Sequence, residues 1–208
     1  MSNLIHIISI IASVISIIVS VLLYFGITRY IKLYMSKSTN SYIEKYKNLP
    51  FKSDKRTIIV LSIENETDIN NIVPTINSLL DQTVRVNQIF LVLPCYTSCN
   101  VPENLTQVLT IIKPGKQYNK YHDIVTILQR EKEKDTIIIK VSKRIIYGKE
   151  FIEDLILNTE STPNSIIKDE SNSFIVLTPE LIILDDNLEF KNFIDEIKNI
   201  SYSENYKY

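Results

Sequence analysis

The sequence contains no tryptophan, only three glycines, two cysteines and two histidines among its 208 residues. Two cysteines are too few for a disulfide scaffold, and no nearby histidine or cysteine pair completes the roughly four ligands of a structural zinc site. Lysine and arginine (23) nearly balance aspartate and glutamate (24), so no net charge steers the chain onto nucleic acid. We therefore expect no nucleic-acid partner, and we interpret Cys95 and Cys99 as reduced thiols.

Charged side chains are also missing near the start of the chain, where no Asp, Glu, Lys or Arg occurs between Leu4 and Thr28. A helix needs about 20 apolar residues to cross the hydrocarbon of a bilayer, and this stretch supplies them. No basic residue precedes it and no small-residue cleavage pattern follows it, which disfavours a cleaved signal peptide. Residues 1–35 are therefore predicted to be a transmembrane anchor and its juxtamembrane segment, with the lipid bilayer as partner.

The flanking charges predict an orientation for this anchor. Arg29, Lys32 and Lys37 all follow the apolar stretch, so the positive-inside tendency places the soluble domain on the cytoplasmic side. Three tyrosines suit a membrane interface on that same side: Tyr24, Tyr30 and Tyr34. Three glycosylation sequons favour the opposite side, although asparagine is frequent enough here for chance matches: Asn65, Asn104 and Asn199.

A stripe of small polar residues runs along the apolar stretch, at Ser9, Ser13, Ser16 and Ser20. Steps of four, three and four place these serines on one helical face. Small residues allow close helix packing in lipid, so the stripe is consistent with a homo-oligomer or a partner helix. Serine that is merely tolerated in a bulky span explains the pattern equally well.

The rest of the chain is predicted to form a polar stalk over residues 36–56, one domain over residues 57–200, and a frayed tail over residues 201–208. Within the domain, short β-branched runs alternate with amphipathic stretches. Strands are predicted at 57–63, 88–93 and 136–141, and helices at 69–80, 118–130, 150–157 and 190–200. This alternation predicts an α/β fold with a mostly parallel sheet covered by helices.

Two of the predicted strands, 58–61 and 137–139, are continuously apolar, as expected of central strands that are buried on both faces. Open parallel sheets bind ligands beyond the carboxyl ends of their strands. The segments at 62–66, 94–100 and 142–144 are therefore the places to search for a site. The pair His122 and Asp123 is interpreted as surface residues, because helix neighbours point to different sides.

A family resemblance is visible in residues 74–83, which spell P-T-I-N-S-L-L-D-Q-T, and in the strand that follows and ends at Pro94. This pattern resembles the nucleotide-binding half of family-2-like glycosyltransferases of the GT-A fold. The resemblance extends through Lys120 to D-T-I-I-I-K-V at 135–141 and I-I-Y at 145–147, and weakly to 174–186. It implies a Rossmann-like GT-A sheet and a nucleotide-sugar pocket.

The same resemblance exposes a departure. Where the family carries an aspartate cluster that holds Mn²⁺ or Mg²⁺ against the diphosphate of a sugar donor, this chain has Ser142, Lys143 and Arg144. Two cations would repel a divalent metal, so no metal site and no cofactor is expected. The resemblance implies a vestigial cofactor-binding pocket made of five residues: Ser62, Lys120, Ser142, Lys143 and Arg144. Acidic residues also follow the first strand, and Asp185 and Asp186 are interpreted as a helix start or a turn.

Three functions remain open at this point. The favoured one is a single-pass membrane protein whose glycosyltransferase-like domain is inactive and serves as a scaffold or binding module. The first alternative is an active, metal-independent glycosyltransferase in which Lys143 and Arg144 neutralise the diphosphate directly, although basic pairs after a strand are usually solvated turn residues. The second alternative is a structural membrane protein of a virus particle.

Overall fold

The protein forms two compact units, Met1–Lys37 and Ser38–Tyr208. The first consists of helices and the second is built around a β-sheet. The computed structural model describes the following residues: 2–24, 26–36, 38–65, 67–94, 101–114, 122–133, 135–162, 167–168 and 174–177.

The first unit contains helix α1 (Ser2–Tyr24) and helix α2 (Ile27–Met35). Its apolar window from His6 to Tyr24 is long and apolar enough to cross a membrane, as the sequence predicts. In lipid a helix satisfies all of its backbone polar groups internally, so even β-branched isoleucine and valine are held in helical form. The hydroxyl groups of Ser13 and Ser20 donate to the carbonyl oxygens of Ser9 (2.9 Å) and Ser16 (2.8 Å). These two hydroxyl groups therefore need no partner helix to satisfy them.

The second unit is organised by a six-stranded sheet with the order β3-β2-β1-β4-β6-β5. Strands β1 to β4 run parallel, whereas β6 is antiparallel to β4 and β5 is antiparallel to β6. The strands span Thr57–Ser62, Gln88–Val92, Leu109–Ile112, Ile137–Val141, Ile167–Lys168 and Phe174–Leu177. This arrangement confirms the predicted α/β fold with a mostly parallel sheet.

The two continuously apolar runs are the central strands β1 and β4, which pair with each other in register from Thr57 opposite Ile137 to Leu61 opposite Val141. Ile58, Ile138 and Ile139 are buried completely or almost so. Burial on both faces requires apolar side chains at successive positions, so these strands have no polar alternation. The predicted central position of both runs is correct.

Helices flank the sheet and the described ones span the following residues: α3, Asn40–Lys47; α4, Asp68–Asn71; α5, Val73–Leu80; α6, Glu103–Thr106; α7, His122–Leu128; and α8, Phe151–Ser161. The single helix predicted at 69–80 is two helices that meet at Ile72. Pro74 in the first turn of α5 explains the break, because proline lacks an N–H and disfavours helical geometry just before it.

The segment predicted as a polar stalk, residues 36–56, is not an open linker throughout, because part of it is a helix with buried side chains. It contains α3, whose Tyr42, Ile43 and Tyr46 are buried and which packs against α5. The backbone N–H of Val86 donates to the hydroxyl oxygen of Tyr46 at 3.0 Å, and burial raises the pKa of Tyr46 to about 12. These three side chains at helical spacing were therefore a core signal hidden within a charged stretch.

Several predictions fall outside the described residues. They concern Lys120, the two cysteines, the acidic pair Asp185 and Asp186, the helix at 190–200 and the tail at 201–208. The domain boundary at residue 200 and the pairing state of the cysteines stay predictions.

Candidate functional site

The candidate site lies where β1 and β4 end side by side at the carboxyl edge of the sheet. Ser62 is the last residue of β1, and Ser142, Lys143 and Arg144 follow β4 directly. Parallel strands that end together at one edge form the usual ligand crevice of an open α/β sheet. The predicted strand-end residues are thus placed at the edge where such a fold binds ligands.

The backbone after β4 is held in position by side chains from α5 and from the segment before α8. The hydroxyl group of Thr75 donates to the carbonyl oxygen of Lys143 at 3.0 Å. The backbone N–H of Ser142 donates to the hydroxyl oxygen of Tyr147 at 2.8 Å, and the Tyr147 ring stacks on Phe151 with centroids 4.3 Å apart. The turn that carries Lys143 and Arg144 is therefore constrained at both of its ends.

Lys143 reaches back across the edge to the loop and short helix after β1. Its ammonium nitrogen lies 2.7 Å from Oδ2 of Asp68 and 3.5 Å from Oε2 of Glu64. The side chains of Lys143 and Asp68 are 18% and 5% exposed, whereas that of Glu64 is 77% exposed. The interpretation of Lys143 as a solvated turn residue is wrong, because this cation is half-buried in an ion pair.

Asp68 is the acidic centre of this cluster. Besides the bond from Lys143, its Oδ2 accepts the backbone N–H groups of Glu64 (3.3 Å) and Asn65 (3.2 Å). The hydrogen bond from Lys143 outweighs desolvation and, with the backbone bonds, holds the pKa of Asp68 below its ordinary value. Asp68 is therefore ionised at neutral pH and already carries its counter-ion.

Arg144 occupies the outer side of the same cluster. Its Nη2 lies 4.0 Å from Oδ1 of Asp68, and its side chain is 77% exposed. An ion pair this long and this exposed contributes little stability, in the range of about 0–1 kcal/mol. Arg144 is thus the cation of the edge that can reorient toward a ligand at small cost.

Ser62 belongs to a second cluster on the α7 side of the sheet. Lys140 pairs with Val60 across the strands, so Ser62 and Lys140 lie two positions apart and share one face. Helix α7 packs on β1 and places Asp123 between them: Ser62 Oγ donates to Oδ2 at 2.8 Å, and Lys140 Nζ donates to Oδ1 at 3.0 Å. Asp123 has a fully buried side chain, so its interpretation as a surface residue is wrong.

The structure consequently divides the predicted pocket. It brings Lys143 and Arg144 to Asp68, while it joins Ser62 to Asp123 and Lys140. Ser142 lies between the clusters in sequence and contributes its backbone to the bond with Tyr147. Asp68, Asp123 and Lys140 were missed because each bond crosses between elements far apart in sequence. The signal that was available was the lysine inside an otherwise apolar strand, since a buried cation requires a partner.

Two residues of the segment that carries the resemblance have a structural role: Ser78 in α5 and Gln82 just after it. Gln82 donates from Nε2 to the carbonyl oxygens of Ser78 and Gly148, both at 2.7 Å, and its Oε1 accepts the backbone N–H of Ile152 at 3.0 Å. The backbone N–H of Tyr147 donates to the hydroxyl oxygen of Ser78 at 3.1 Å. Because Ser78 and Gln82 are buried, these bonds fix the loop between β4 and α8 to α5.

The donor set at this edge does not fit a divalent metal. Hard cations prefer several anionic oxygen ligands, whereas residues 142–144 supply one hydroxyl group and two cations. The buried carboxylate nearby, Asp68, is bound to an ammonium group and two N–H groups. Among the residues described by the structure, no group of three or more His, Cys, Asp or Glu side chains is placed to hold a metal ion.

Fold and site together define an α/β protein with a charge-compensated strand edge. No protein-family model and no curated protein matches the chain. A similar solved structure is a mannosyltransferase from Pyrobaculum calidifontis in complex with GDP-Man and Mn²⁺, with 12% identity and a TM-score of 0.45. The match covers 77% of this chain and 55% of that one, so the chain spans about half the length of the mannosyltransferase. The fold class itself rests on the strand order given above.

Proposed function

We propose that this protein is a single-pass membrane protein whose glycosyltransferase-like domain lacks catalytic activity and serves as a scaffold or binding module. The observation that carries the proposal is the ion pair between Lys143 and Asp68 at 2.7 Å. This contact lies at the edge where the sequence resemblance implies a metal-bound diphosphate. The cation there is neutralised from within the domain.

The electrostatics of the edge support inactivity. A nucleotide diphosphate carried by Mn²⁺ needs carboxylates that are free to bind the metal, and Asp68 is engaged by Lys143 and two backbone N–H groups. Removing Lys143 from Asp68 would leave a carboxylate that is 5% exposed without its counter-ion. The pair therefore favours the empty, internally satisfied edge over a metal-bound one.

Direct titration tests this proposal. The full chain in detergent micelles is titrated calorimetrically with UDP-sugars and GDP-sugars, with and without Mn²⁺. We expect no saturable heat in either series. Saturable binding that requires Mn²⁺ would show that the edge does hold a metal and would overturn the proposal.

A second candidate, metal-independent sugar transfer, is favoured by one observation. Arg144 is 77% exposed and only loosely paired, so its guanidinium group is free to bind a phosphate. Under this candidate a nucleotide sugar binds without Mn²⁺, Arg144→Ala abolishes the binding, and the exposed Arg130→Ala leaves it intact. Equal behaviour of the two variants, or no binding at all, rejects it.

Membrane anchoring is the second part of the proposal. The window from His6 to Tyr24 is charge-free, and the basic residues Arg29 and Lys32 follow it. The positive-inside tendency then puts the domain on the cytoplasmic side. The sequon at Asn104 is consistent with this side, since its amide nitrogen, the atom that glycosylation modifies, donates to Thr39 Oγ1 at 2.7 Å.

Alkaline extraction of membranes tests the anchor. Replacing Val14 and Ile18 by lysine introduces two charges near the centre of the span, each costing about 2.5–3.5 kcal/mol on insertion scales. We expect the native chain to stay with the membrane pellet and the double variant to be released. A native chain that is extracted by alkali has no spanning anchor.

A further inference from the structure

Helix α2, directly after the candidate span, exposes an apolar face. Five large side chains on it are more than a third exposed: Ile27 37%, Tyr30 55%, Ile31 45%, Tyr34 66% and Met35 71%. At 100° per residue they fall within one arc of about 140° on the helical wheel. The Tyr30 and Tyr34 rings stack with an interplanar angle of 5°, so they form one continuous surface.

The other side of α2 carries three polar residues and one buried apolar residue, Leu33. Thr28 and Lys32 are exposed there and Arg29 is half-buried. An apolar arc of aromatic and aliphatic side chains opposed by basic residues is the pattern of a helix that lies in a membrane interface. If only water covered this arc, the protein would expose a contiguous hydrophobic patch, which is unfavourable.

The position of α2 in the chain, directly after the candidate span, favours lipid as the surface that covers this face. Only Phe25 and Gly26 separate it from α1, whose last described residue, Tyr24, ends the charge-free window. Gly26 has φ 64°, a left-handed conformation that side chains rarely adopt, and it interrupts the helix at that point. Its N–H donates to the Leu23 carbonyl oxygen (3.2 Å), and its own carbonyl oxygen accepts the N–H of Arg29 (3.0 Å). The compact turn keeps α2 close to the end of the span.

We propose that α2 is an interfacial helix that lies on the lipid surface, with Tyr30, Ile31, Tyr34 and Met35 inserted at the boundary between headgroups and acyl chains. Its nine residues cover about 14 Å along the surface. Lys32 and Thr28 then face the headgroups and water, where a cation is attracted to anionic lipid. This inference rests on the proposed anchoring by α1.

The absence of tryptophan makes a fluorescence test direct. Single variants Tyr34→Trp, Lys32→Trp and Val14→Trp are made in the full chain and reconstituted in vesicles of phosphatidylcholine and phosphatidylserine. One spin-labelled lipid quenches near the headgroup and another near the end of the acyl chain. Ile31→Trp repeats the measurement on the apolar face in case the Tyr34 variant fails to fold.

We expect the indole of Tyr34→Trp to emit at short wavelength and to be quenched several-fold more by the shallow label than by the deep one. The indole of Lys32→Trp, on the exposed polar side, should emit as in water and be quenched weakly by both labels. Equal quenching of these two variants would mean that lipid surrounds α2. Blue-shifted but unquenched emission from Tyr34→Trp would mean that protein covers the face. Either result overturns the inference.

Val14→Trp separates this inference from the anchor on which it rests. Strong quenching of this variant by the deep label, together with solvent-like emission from Tyr34→Trp, rejects the interfacial helix and leaves the anchor standing. Absence of deep quenching in Val14→Trp rejects the anchor itself, and the interfacial helix falls with it.

Discussion

Two regions of the domain are held together by polar side chains, one through neutral hydrogen bonds and the other through an ion pair. The buried joint of Ser78, Gln82 and Tyr147 uses neutral groups that bond backbone on neighbouring elements. The charged edge of Asp68 and Lys143 pairs ions between the segments that follow β1 and β4, where the Lys143 side chain is 18% exposed. Ser78 and Gln82 of the joint belong to the segment that carries the sequence resemblance, and they bond to backbone groups here, whereas residues 142–144 of the edge depart from the pattern that the resemblance implies.

The largest effect is expected where charge and full burial coincide, at Asp123. Asp123→Ala removes the fully buried carboxylate that accepts hydrogen bonds from Lys140 and Ser62, which should cost about 4 kcal/mol. Hydrogen exchange of the β1 and β4 amides in the full chain measures this loss. The double variant Asp123→Leu with Lys140→Met should recover most of it, and a double variant as unstable as the single one would show that packing, not charge, decides the effect.

The neutral joint should come next. Gln82→Ala leaves the buried N–H of Ile152 without its partner, at about 1–3 kcal/mol, and removes one of the two donors to the carbonyl oxygen of Gly148, which keeps the N–H of Phe151. The same exchange measurement should show faster opening of the loop between β4 and α8. The exposed Gln129→Ala is the matched control and should leave exchange unchanged. Equal effects of the two substitutions would contradict a structural role for the joint.

The ion pair of the edge should contribute less, because Asp68 keeps the backbone N–H groups of Glu64 and Asn65 as donors when Lys143 is removed. Lys143→Met should destabilise the domain by about 1.5 kcal/mol at neutral pH, the lower end of the range for a hydrogen bond to a charged group. Glu64→Gln, at a side chain that is 77% exposed, serves as control and should change stability little. A stabilising Lys143→Met would indicate that the edge is strained for the sake of a ligand.

The pH dependence of stability in Lys143→Met tests the contribution of the ion pair separately. The folded-state pKa of Asp68 lies below its ordinary value of 3.8, so its stabilisation is complete above that value and is lost as the pH falls through the lowered pKa. In Lys143→Met the largest cause of that shift is gone. The loss of stability between about pH 5 and pH 2 should therefore be shallower than in the native chain, although the backbone bonds from Glu64 and Asn65 keep it from vanishing. Identical acid profiles would contradict the assignment to Asp68.

The smallest effect is expected at Arg144. Its distance of 4.0 Å from Asp68 and its exposure predict a change of less than about 0.5 kcal/mol for Arg144→Ala. Amide exchange in β4 and α4 measures it, with Arg130→Ala as the exposed control. A loss of stability as large as that of Lys143→Met would mean that both cations belong to one ion-pair network. Arg144 would then not be available to bind a ligand.

Much of the sheet was predictable from local pattern. The apolar runs that became β1 and β4 need no tertiary information, because burial on both faces requires apolar residues at every position. The local pattern also explains why an open stalk was predicted where α3 lies, because that segment is mostly polar. Tyr42, Ile43 and Tyr46 are few among lysines and asparagines, and only the packing of α3 against α5 turns them into core.

The position of the candidate site in the sheet was predictable from the sequence, whereas the ion-pair partners of its residues were not. The edge at Ser62 and residues 142–144 follows from where parallel strands end. That Lys143 binds Asp68 across 75 positions, and Lys140 binds Asp123 across 17, depends on the crossovers that bring α4 and α7 beside those strands. Charge alone does not choose between a solvated lysine and a paired one, since burial decides that difference.

The sequence by itself determined the charge-free helix of spanning length and the α/β alternation, because both are local periodicities of single segments. Tertiary structure alone decided that the cations after β4 are compensated by Asp68 and that Gln82 holds the loop behind them. The physical reason is separation in sequence. A hydrophobic pattern involves residues that are neighbours in the chain, whereas ion pairs and buried hydrogen bonds depend on which distant segments the fold brings together.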